Sequence, residues 1–315
     1  MFALRGLAVS LAIFFLVYSV LSLLIVGSWE VARRYAGRYV LSGSANFLFF
    51  IRLLPLLGAF AFTLAFTLPS FLILEPRSAQ EAVGAAPTTL GICCLTLLFL
   101  GLARASLAQT KASQVLANWL QGAHRVRTCS KIPVFQTRKG TPLLTVAGVR
   151  APRVLVSGVA MEVLQEGELE IALRHEVAHV RHLDNLKKLL MQFSPFPGMQ
   201  PLERAWAQAA ELEADDAAVS SMTDALDLAS ALIKLSRISS PESPLLAANL
   251  LPEAHGSIRT RVERLFAWDR VDHSHATDRS WFYATPVLLT AVVAAAATYG
   301  AVIEQIHEVT EWLVR

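Results

Sequence analysis

Four long stretches of apolar sequence constrain the fold of this chain more than any other feature. Phe2–Trp29 contains one charged residue, Arg5, and three further stretches contain none: Leu53–Leu74, Gly84–Leu102 and Phe282–Ile303. About 20 apolar residues in a helix cross the hydrocarbon layer of a bilayer, so each stretch is close to the necessary length. The sequence therefore predicts four transmembrane helices.

The composition agrees with a membrane protein. Hydrophobic residues make up 54% of the chain and charged residues only 17%, whereas soluble domains carry about 25% charged residues. The first stretch is longer than the apolar core of a signal peptide and lacks a convincing cleavage site before Trp29, so we expect a retained helix. The net charge of +3 comes without a basic stripe, and we therefore expect no direct contact with nucleic acid.

The sequence between the third and fourth stretches is mixed in polarity and predicts a domain in water. Strands are expected at Ile132–Gln136, Leu143–Ala147 and Arg153–Ser157, and helices at Ser106–Gly122, Glu162–Leu190, Leu202–Ser221 and Ala225–Ile238. We therefore expect an α+β, mostly α fold in three parts. Three membrane helices occupy residues 1–104, the domain occupies residues 105–281, and the fourth membrane helix with a short tail occupies residues 282–315.

The predicted helix Glu162–Leu190 carries the motif His175-Glu176-Val177-Ala178-His179. Four residues are just over one helical turn, so both imidazoles leave the same face and can bind one metal ion. Glu176 projects beside that face, where it can hold a water molecule and remove its proton. This is the HExxH arrangement of zinc peptidases, in which the glutamate is the general base.

Charged residues surround this motif, and burying all of them in lipid would be too costly. The motif helix is therefore expected to lie in water next to the membrane, which argues against a protease whose metal lies inside the bilayer. The charged and polar neighbours are Arg174, Arg181, His182, Asp184, Lys187 and Lys188.

A catalytic zinc site normally has a third protein ligand, and an acidic segment after a proline-rich break offers candidates. Glu211 and Asp215 are four residues apart and share a helix face, so a glutamate could bind the metal while the aspartate holds a ligand histidine. Glu213 points about 200° away from Glu211 and is expected to face water or a cation. The alternative is an ordinary solvated acidic face.

The segment Arg153–Ile238 resembles the membrane zinc metallopeptidase family that includes the β-lactam sensor-transducers of bacteria. The similar elements are Val154-Leu155-Val156-Ser157, the HEVAH motif followed by Asp184-Asn185, the proline-rich link Phe193–Pro201, and Glu211-Leu212-Glu213-Ala214-Asp215-Asp216-Ala217-Ala218. A more distant resemblance, through HExxH followed by ExxxD, extends to the CaaX prenyl-protein and heat-shock membrane proteases. The resemblance implies that His175, His179 and Glu211 bind Zn²⁺, and that Asp215 supports them from outside the ligand set.

The same resemblance implies a membrane-anchored zinc endopeptidase of the bacterial inner membrane, with its catalytic domain in the cytoplasm. Its expected partners are the lipid bilayer and a protein or peptide substrate: a repressor, or its own chain in self-cleavage. A membrane quality-control protease, a non-catalytic signalling relay with a structural metal site, and a homodimer stay open alternatives. The sensor-transducers have a penicillin-binding domain after the fourth helix, and only a short tail follows it here, so we do not expect β-lactam sensing.

Two weaker expectations concern substrate handling. His255 begins the segment His255-Gly256-Ser257-Ile258-Arg259, with Arg261 downstream, and the more distant relatives have a histidine–proline segment with an arginine near the active site. His255 or one of the arginines could stabilise the oxyanion, although a surface loop entering a basic helix is the alternative. An extended substrate could add to a sheet edge, either at Leu143–Ala147 or at Arg153–Ser157.

The positions of lysine and arginine predict the orientation. Arg33, Arg34 and Arg38 lie between the first two stretches, and Arg104 and Lys111 follow the third. Cytoplasmic loops carry an excess of such residues, so the domain is expected in the cytoplasm and both termini outside.

Reporter fusions test this orientation. Fusions at Ala36 and Gly167 should report a cytoplasmic location, and fusions at Gln80 and Arg315 an external one, because successive membrane helices alternate sides. An external signal from the Gly167 fusion would contradict the orientation and exclude a cytoplasmic repressor as substrate.

Overall fold

The computed structural model describes residues 2–36, 44–75, 84–126, 132–137, 143–238, 255–268, 299–306 and 308. These residues are mostly helical with one small sheet, so the predicted α+β, mostly α class is confirmed at that level. The helices are α1 (Phe2–Ala36), α2 (Ala45–Phe62), a π-helical turn (Thr63–Thr67), α3 (Leu68–Leu74), α4 (Ala85–Leu120), α5 (Gly158–Val163), α6 (Glu166–Arg181), α7 (Asp184–Phe193), α8 (Gln200–Ala218), α9 (Met222–Ile238) and α10 (His255–Phe266). The strands are β1 (His124–Val126), β2 (Val134–Thr137), β3 (Leu144–Ala147) and β4 (Arg153–Ser157).

Three helices in the described part of the chain are long and apolar enough to cross a membrane: Phe2–Tyr35, Ala45–Leu74 and Ala85–Leu120. The third merges the predicted membrane stretch with the amphipathic helix that was expected to follow it. The second begins eight residues before the uncharged stretch and so includes Arg52. The predicted fourth span, Phe282–Ile303, lies outside the described residues except for its helical end from Tyr299.

Contacts between residues divide the chain into two compact units. The first contains Met1–Ser28, Leu53–Leu100 and Asp272–Arg315, and the second contains Trp29–Arg52 and Gly101–Val271. The second unit carries the HEVAH motif, and the division into residues 1–104, 105–281 and 282–315 stays a prediction.

Within the first unit, a proline shapes the second candidate span. Pro69 has no N–H to donate to the carbonyl of Ala65, the residue that it would reach in an α-helix. The Tyr299 hydroxyl donates a 2.6 Å hydrogen bond to that carbonyl, and Ser70 Oγ donates to the carbonyl of Ile303 at 3.2 Å. The carbonyl of Ala65, which Pro69 cannot bond, therefore accepts a hydrogen bond from Tyr299, a residue of the predicted fourth membrane stretch.

The sheet has the strand order β1-β2-β4-β3, with β2 and β4 parallel and the other two pairs antiparallel. β4 is an interior strand, and its residues Val154, Leu155 and Val156 are fully buried. Leu169 and Leu173 of α6 pack against the apolar cluster that this strand helps to form. The sheet thus supports the motif helix from one side.

α6 begins with a capping box in which Gln165 and Glu168 exchange side-chain and backbone hydrogen bonds. Its buried residues Ile171, Ala172, His175 and Ala178 recur at helical spacing and face the interior. α6 packs against both α8 and α9. The predicted single helix Glu162–Leu190 is therefore three helices, with breaks on either side of α6.

A close backbone contact fixes α4 against the residues that follow α7. A Cβ at Gly101 would overlap the carbonyl oxygen of Phe193 and touch Pro195. Gly27, on α1, has nothing within 4 Å of the equivalent position. Gly101 is therefore needed for the close approach, whereas Gly27 is not.

We expect Gly101→Ala to lower the free energy of unfolding by about 1–3 kcal/mol, because backbone atoms cannot turn aside as a flexible side chain can. Thermal unfolding of the detergent-solubilised protein, followed by circular dichroism, measures the change. Gly27→Ala is the matched control and should leave the melting temperature unchanged or slightly raised. Equal melting temperatures for the two variants would contradict the contact.

Candidate metal centre

The structure brings together the three predicted ligands. His175 and His179 lie on α6, and their Nε2 atoms are 3.2 Å apart. Glu211 on α8 places Oε2 at 3.6 Å from His175 Nε2 and Oε1 at 3.6 Å from His179 Nε2. Such a group of one carboxylate and two imidazoles could hold a metal ion.

The other nitrogen of each histidine faces a carboxylate. His179 Nδ1 lies 2.7 Å from Asp184 Oδ2, and His175 Nδ1 lies 3.0 Å from Asp215 Oδ1, although out of line for a well-formed hydrogen bond. A carboxylate only accepts, so a proton on the Nδ1 that faces it leaves Nε2 of each ring as the nitrogen that can bind a metal.

Two lone pairs facing each other at 3.2 Å would repel, so either a proton or a metal ion has to lie between these two Nε2 atoms. Imidazoles that bind one tetrahedral metal at about 2.0–2.1 Å have nitrogens about 3.3 Å apart. The observed separation is close to that value. The three side chains therefore fit a metal ion in both chemistry and spacing.

The electrostatics of the centre also favour a cation. Burial would lower the pKa of His175, but the acidic groups of Asp215 and Glu211 outweigh it and raise that pKa to about 9. Burial would raise the pKa of Glu211, but its hydrogen bond with His175 and the charges of Arg261 and His179 hold it well below the usual range. Both shifts express the same preference for positive charge at this point.

Arg261 of α10 is buried against the two carboxylates of α8. Its Nε and Nη2 donate to both oxygens of Asp215 at 2.7 and 2.6 Å, and its Nη1 donates to Glu211 Oε2 at 2.8 Å. The guanidinium is thus paired with Glu211, the predicted third ligand, and with Asp215 beside His175, while a role of an arginine at the oxyanion stays a prediction. Sequence reasoning noticed this arginine but missed its role, because its contact with α8 lies 46 residues away along the chain.

Asp184 is a supporting residue whose role sequence reasoning missed. α6 ends at Arg181, and Leu183 adopts a left-handed conformation with φ of 58° before Asp184 begins α7. This reversal points the buried Asp184 back at His179. The available signal was an aspartate five residues after the second histidine, just beyond the end of the helix.

Glu176 is half-buried on α6 between the two histidines, as predicted. Its negative charge contributes to the raised pKa of Arg261, although burial acts on that pKa in the opposite direction and is the largest influence. Glu176 is therefore near enough to Arg261, which contacts Glu211, to interact with its charge. His255 begins α10, but its side chain lies outside the described part, so its predicted role stays a prediction.

The prediction for Glu213 was wrong. Its Oε1 accepts a 2.7 Å hydrogen bond from the backbone N–H of Ala45, the first residue of α2. The first N–H groups of a helix have no partner within the helix, and a carboxylate there also interacts favourably with the helix dipole. Glu213 therefore caps a candidate membrane helix and does not face water or a cation.

The sheet topology decides between the two proposed substrate edges. β4 pairs with β2 on one side and with β3 on the other, so Arg153–Ser157 has no free edge, whereas β3 is an edge strand in the part of the sheet that the structure describes. Asn185 Nδ2 donates to the carbonyl of Gly148, just past β3, at 3.3 Å. A cavity lies beside this strand, lined by α4, β3 and α7, including Leu116, Trp119, Thr145, Lys188 and Leu189.

A search against models of known protein families found no match, and no curated protein matches the sequence significantly.

If the centre binds a metal ion such as Zn²⁺, we expect Asp184→Ala to weaken that binding by about 10- to 100-fold, because the imidazole of His179 loses the carboxylate that orients it and raises its basicity. Competition with a chromophoric chelator measures the affinity of the purified protein. Asp216→Ala is the control, since Asp216 is exposed on α8 and pairs with Arg264. Glu211→Ala removes a predicted ligand and should abolish stoichiometric zinc. A wild-type affinity in Asp184→Ala, or a wild-type occupancy in Glu211→Ala, would contradict the site.

Proposed function

We propose that the protein is a membrane-anchored, zinc-dependent endopeptidase. The observation that supports this most strongly is the convergence of His175, His179 and Glu211 with Glu176 beside them on the same helix. A zinc ion held by these ligands would polarise the scissile carbonyl and lower the pKa of a water molecule.

The side chains of the chain account for the remaining steps. Glu176 accepts the proton of the attacking water on its carboxylate and transfers it to the nitrogen of the departing amine. Asp184 and Asp215 keep the Nδ1 protons of the two histidines in place, so that both Nε2 atoms stay available as ligands. Arg261 neutralises Glu211 and Asp215, whose buried charges would otherwise repel each other.

The outer edge of β3, which pairs with no further strand among the described residues, supports a mode of substrate binding. An extended peptide can add to such an edge through backbone hydrogen bonds, and its side chains then enter neighbouring pockets. A mostly apolar cavity lined by α4, β3 and α7 lies beside this strand. The substrate class that suits this groove is therefore an unfolded or extended polypeptide segment.

A signalling relay with a structural metal site is the rival from another class. Structural zinc sites usually have four protein ligands, whereas the group found among the described residues has three. Glu176 also has no use in a structural site. Three candidate membrane spans support membrane association, and we place the protein in the bacterial inner membrane with its domain in the cytoplasm.

We expect Glu176→Gln to reduce peptide-bond hydrolysis by about 100- to 10,000-fold while zinc stays bound, because only the general base is lost. Turnover of a quenched fluorescent peptide library and elemental analysis measure the two properties. Glu170→Gln is the matched control, since Glu170 is exposed on the same helix and pairs with Arg174. A Glu176→Gln protein that still hydrolyses its substrate, or that restores signalling in cells, would favour the relay.

Comparing cleaved termini across the proteome, in cells with wild type or Glu176→Gln, distinguishes the two substrate classes. Regulated proteolysis predicts one or two new termini, in a soluble DNA-binding repressor or in the protein itself. Quality control predicts many termini in misfolded membrane proteins. We expect the first pattern, and widespread cleavage of membrane proteins would contradict it.

A further inference from the structure

Arg52 is a charged residue on a candidate membrane helix, yet its side chain is only 2% exposed and is surrounded by polar partners. Its Nε donates to Glu203 Oε1 at 2.8 Å, and its Nη1 donates to Ser194 Oγ at 3.2 Å. Its Nη2 donates to the carbonyls of Ser194 and Met191 at 2.7 and 3.3 Å. The guanidinium therefore donates hydrogen bonds to residues at the C-terminal end of α7 and to the first turn of α8.

These partners flank the proline-rich link between the two helices that build the metal centre. α7 carries Asp184, which holds His179, and α8 carries Glu211 and Asp215. One side chain thus sets the distance between the end of α7 and the start of α8. A guanidinium suits this task because its donors lie in one rigid plane, whereas the three donors of an ammonium radiate from one atom.

A second contact ties the other end of α8 to the same helix. Glu213 caps the N–H of Ala45, and Glu213 lies only two residues beyond Glu211. Arg52 and Ala45 therefore hold α8 near both of its ends. The first two turns of α2, residues 45–52, run alongside the helix that provides the third ligand.

A third contact joins α2 to the support of His179. Lys187 Nζ donates to Asn46 Oδ1 at 2.7 Å and lies 3.5 Å from Asp184 Oδ1. Lys187 also lies over the ring of Phe49, with its Nζ 5.8 Å from the ring centroid. The start of α2 is therefore bound to both helices on which the metal ligands and their supporting carboxylates depend.

We propose that residues 45–52 position the metal centre, with Arg52 as the principal positioning residue. The zinc affinity of the site depends on where the start of α2 lies, because α7 and α8 move relative to each other when these contacts are lost. α2 is the first part of the second candidate span, so the position of this span's first two turns sets the geometry of the third ligand. The inference rests on the metal site of the proposed function, but not on its peptidase activity.

The test measures the zinc affinity of the purified full-length protein by chelator competition, together with the melting temperature of the zinc-free form. Arg52→Ala should weaken zinc binding about 10- to 100-fold, as loss of outer partners of metal ligands commonly does. Arg52→Lys should lie between Arg52→Ala and wild type, and Glu213→Ala should cause a smaller loss. A purely structural role would lower the melting temperature and leave the zinc affinity unchanged.

Two controls separate positioning from general effects. Arg104→Ala removes an exposed arginine that contacts α7 through Gln192, and Gly6→Ala destabilises the first unit by a clash with Phe71. Both should bind zinc like wild type, although Gly6→Ala should melt at a lower temperature. A loss of affinity in Gly6→Ala equal to that in Arg52→Ala would overturn the proposal.

If Arg52→Ala does not fold, Arg52→Lys and Glu203→Gln decide the question, because each removes only part of the network. Zinc affinities within twofold of wild type in both variants overturn the proposal. A wild-type protein that binds no zinc would instead overturn the proposed function itself. The two failures are therefore distinguishable in the same set of titrations.

Discussion

The organisation of the second unit depends on a need for positive charge between two imidazoles. His175 and His179 place their Nε2 atoms 3.2 Å apart, and their Nδ1 atoms face Asp215 and Asp184. The arrangement is repulsive unless a proton or a metal ion lies between the two Nε2 atoms, and with a metal ion the two imidazoles and Glu211 form three sides of a coordination shell. The buried carboxylates around the centre follow from the same requirement, since they make the position attractive to a metal ion before one binds.

Two buried arginines offset the repulsion between the carboxylates that surround the centre and its supporting helices. Arg261 pairs with Asp215 and Glu211, and Arg52 pairs with Glu203 while it also satisfies backbone carbonyls at the end of α7. Buried ion pairs add little stability over apolar packing, but breaking one leaves an uncompensated charge in the interior. Their value here is geometric, because a planar guanidinium holds two or three oxygens in one arrangement. They fix α10 and α2 against α8, on which Glu211 must be placed accurately for a metal to bind.

The arrangement also explains why the second candidate span begins before its uncharged stretch. In the sequence the uncharged stretch begins at Leu53, because the residue before it, Arg52, is charged. In the folded protein the side chain of Arg52 is buried and bonds to residues on either side of the link between α7 and α8. The helix can therefore begin before Arg52, at Ala45, where Glu213 caps it. Arg52 therefore interrupts the apolar sequence, but in the structure it fixes α2 against α7 and α8.

The sequence by itself determined the features that arise within one helix or strand. The period of the α-helix places His175 and His179 on one face and Asp215 one turn after Glu211, and three of the four apolar blocks lie in long helices among the described residues. Tertiary structure decided what depends on contacts between distant segments. Asp184 contacts His179 because the chain reverses at the left-handed Leu183, and Arg261 pairs with two carboxylates of α8. Glu213 caps α2, and β3 lies at the edge of the sheet among the described residues. Helical or strand periodicity can be read from neighbouring residues. The partner of a buried charge depends instead on which distant segments the packing of the whole unit brings within about 3 Å, so no short stretch of sequence predicts it.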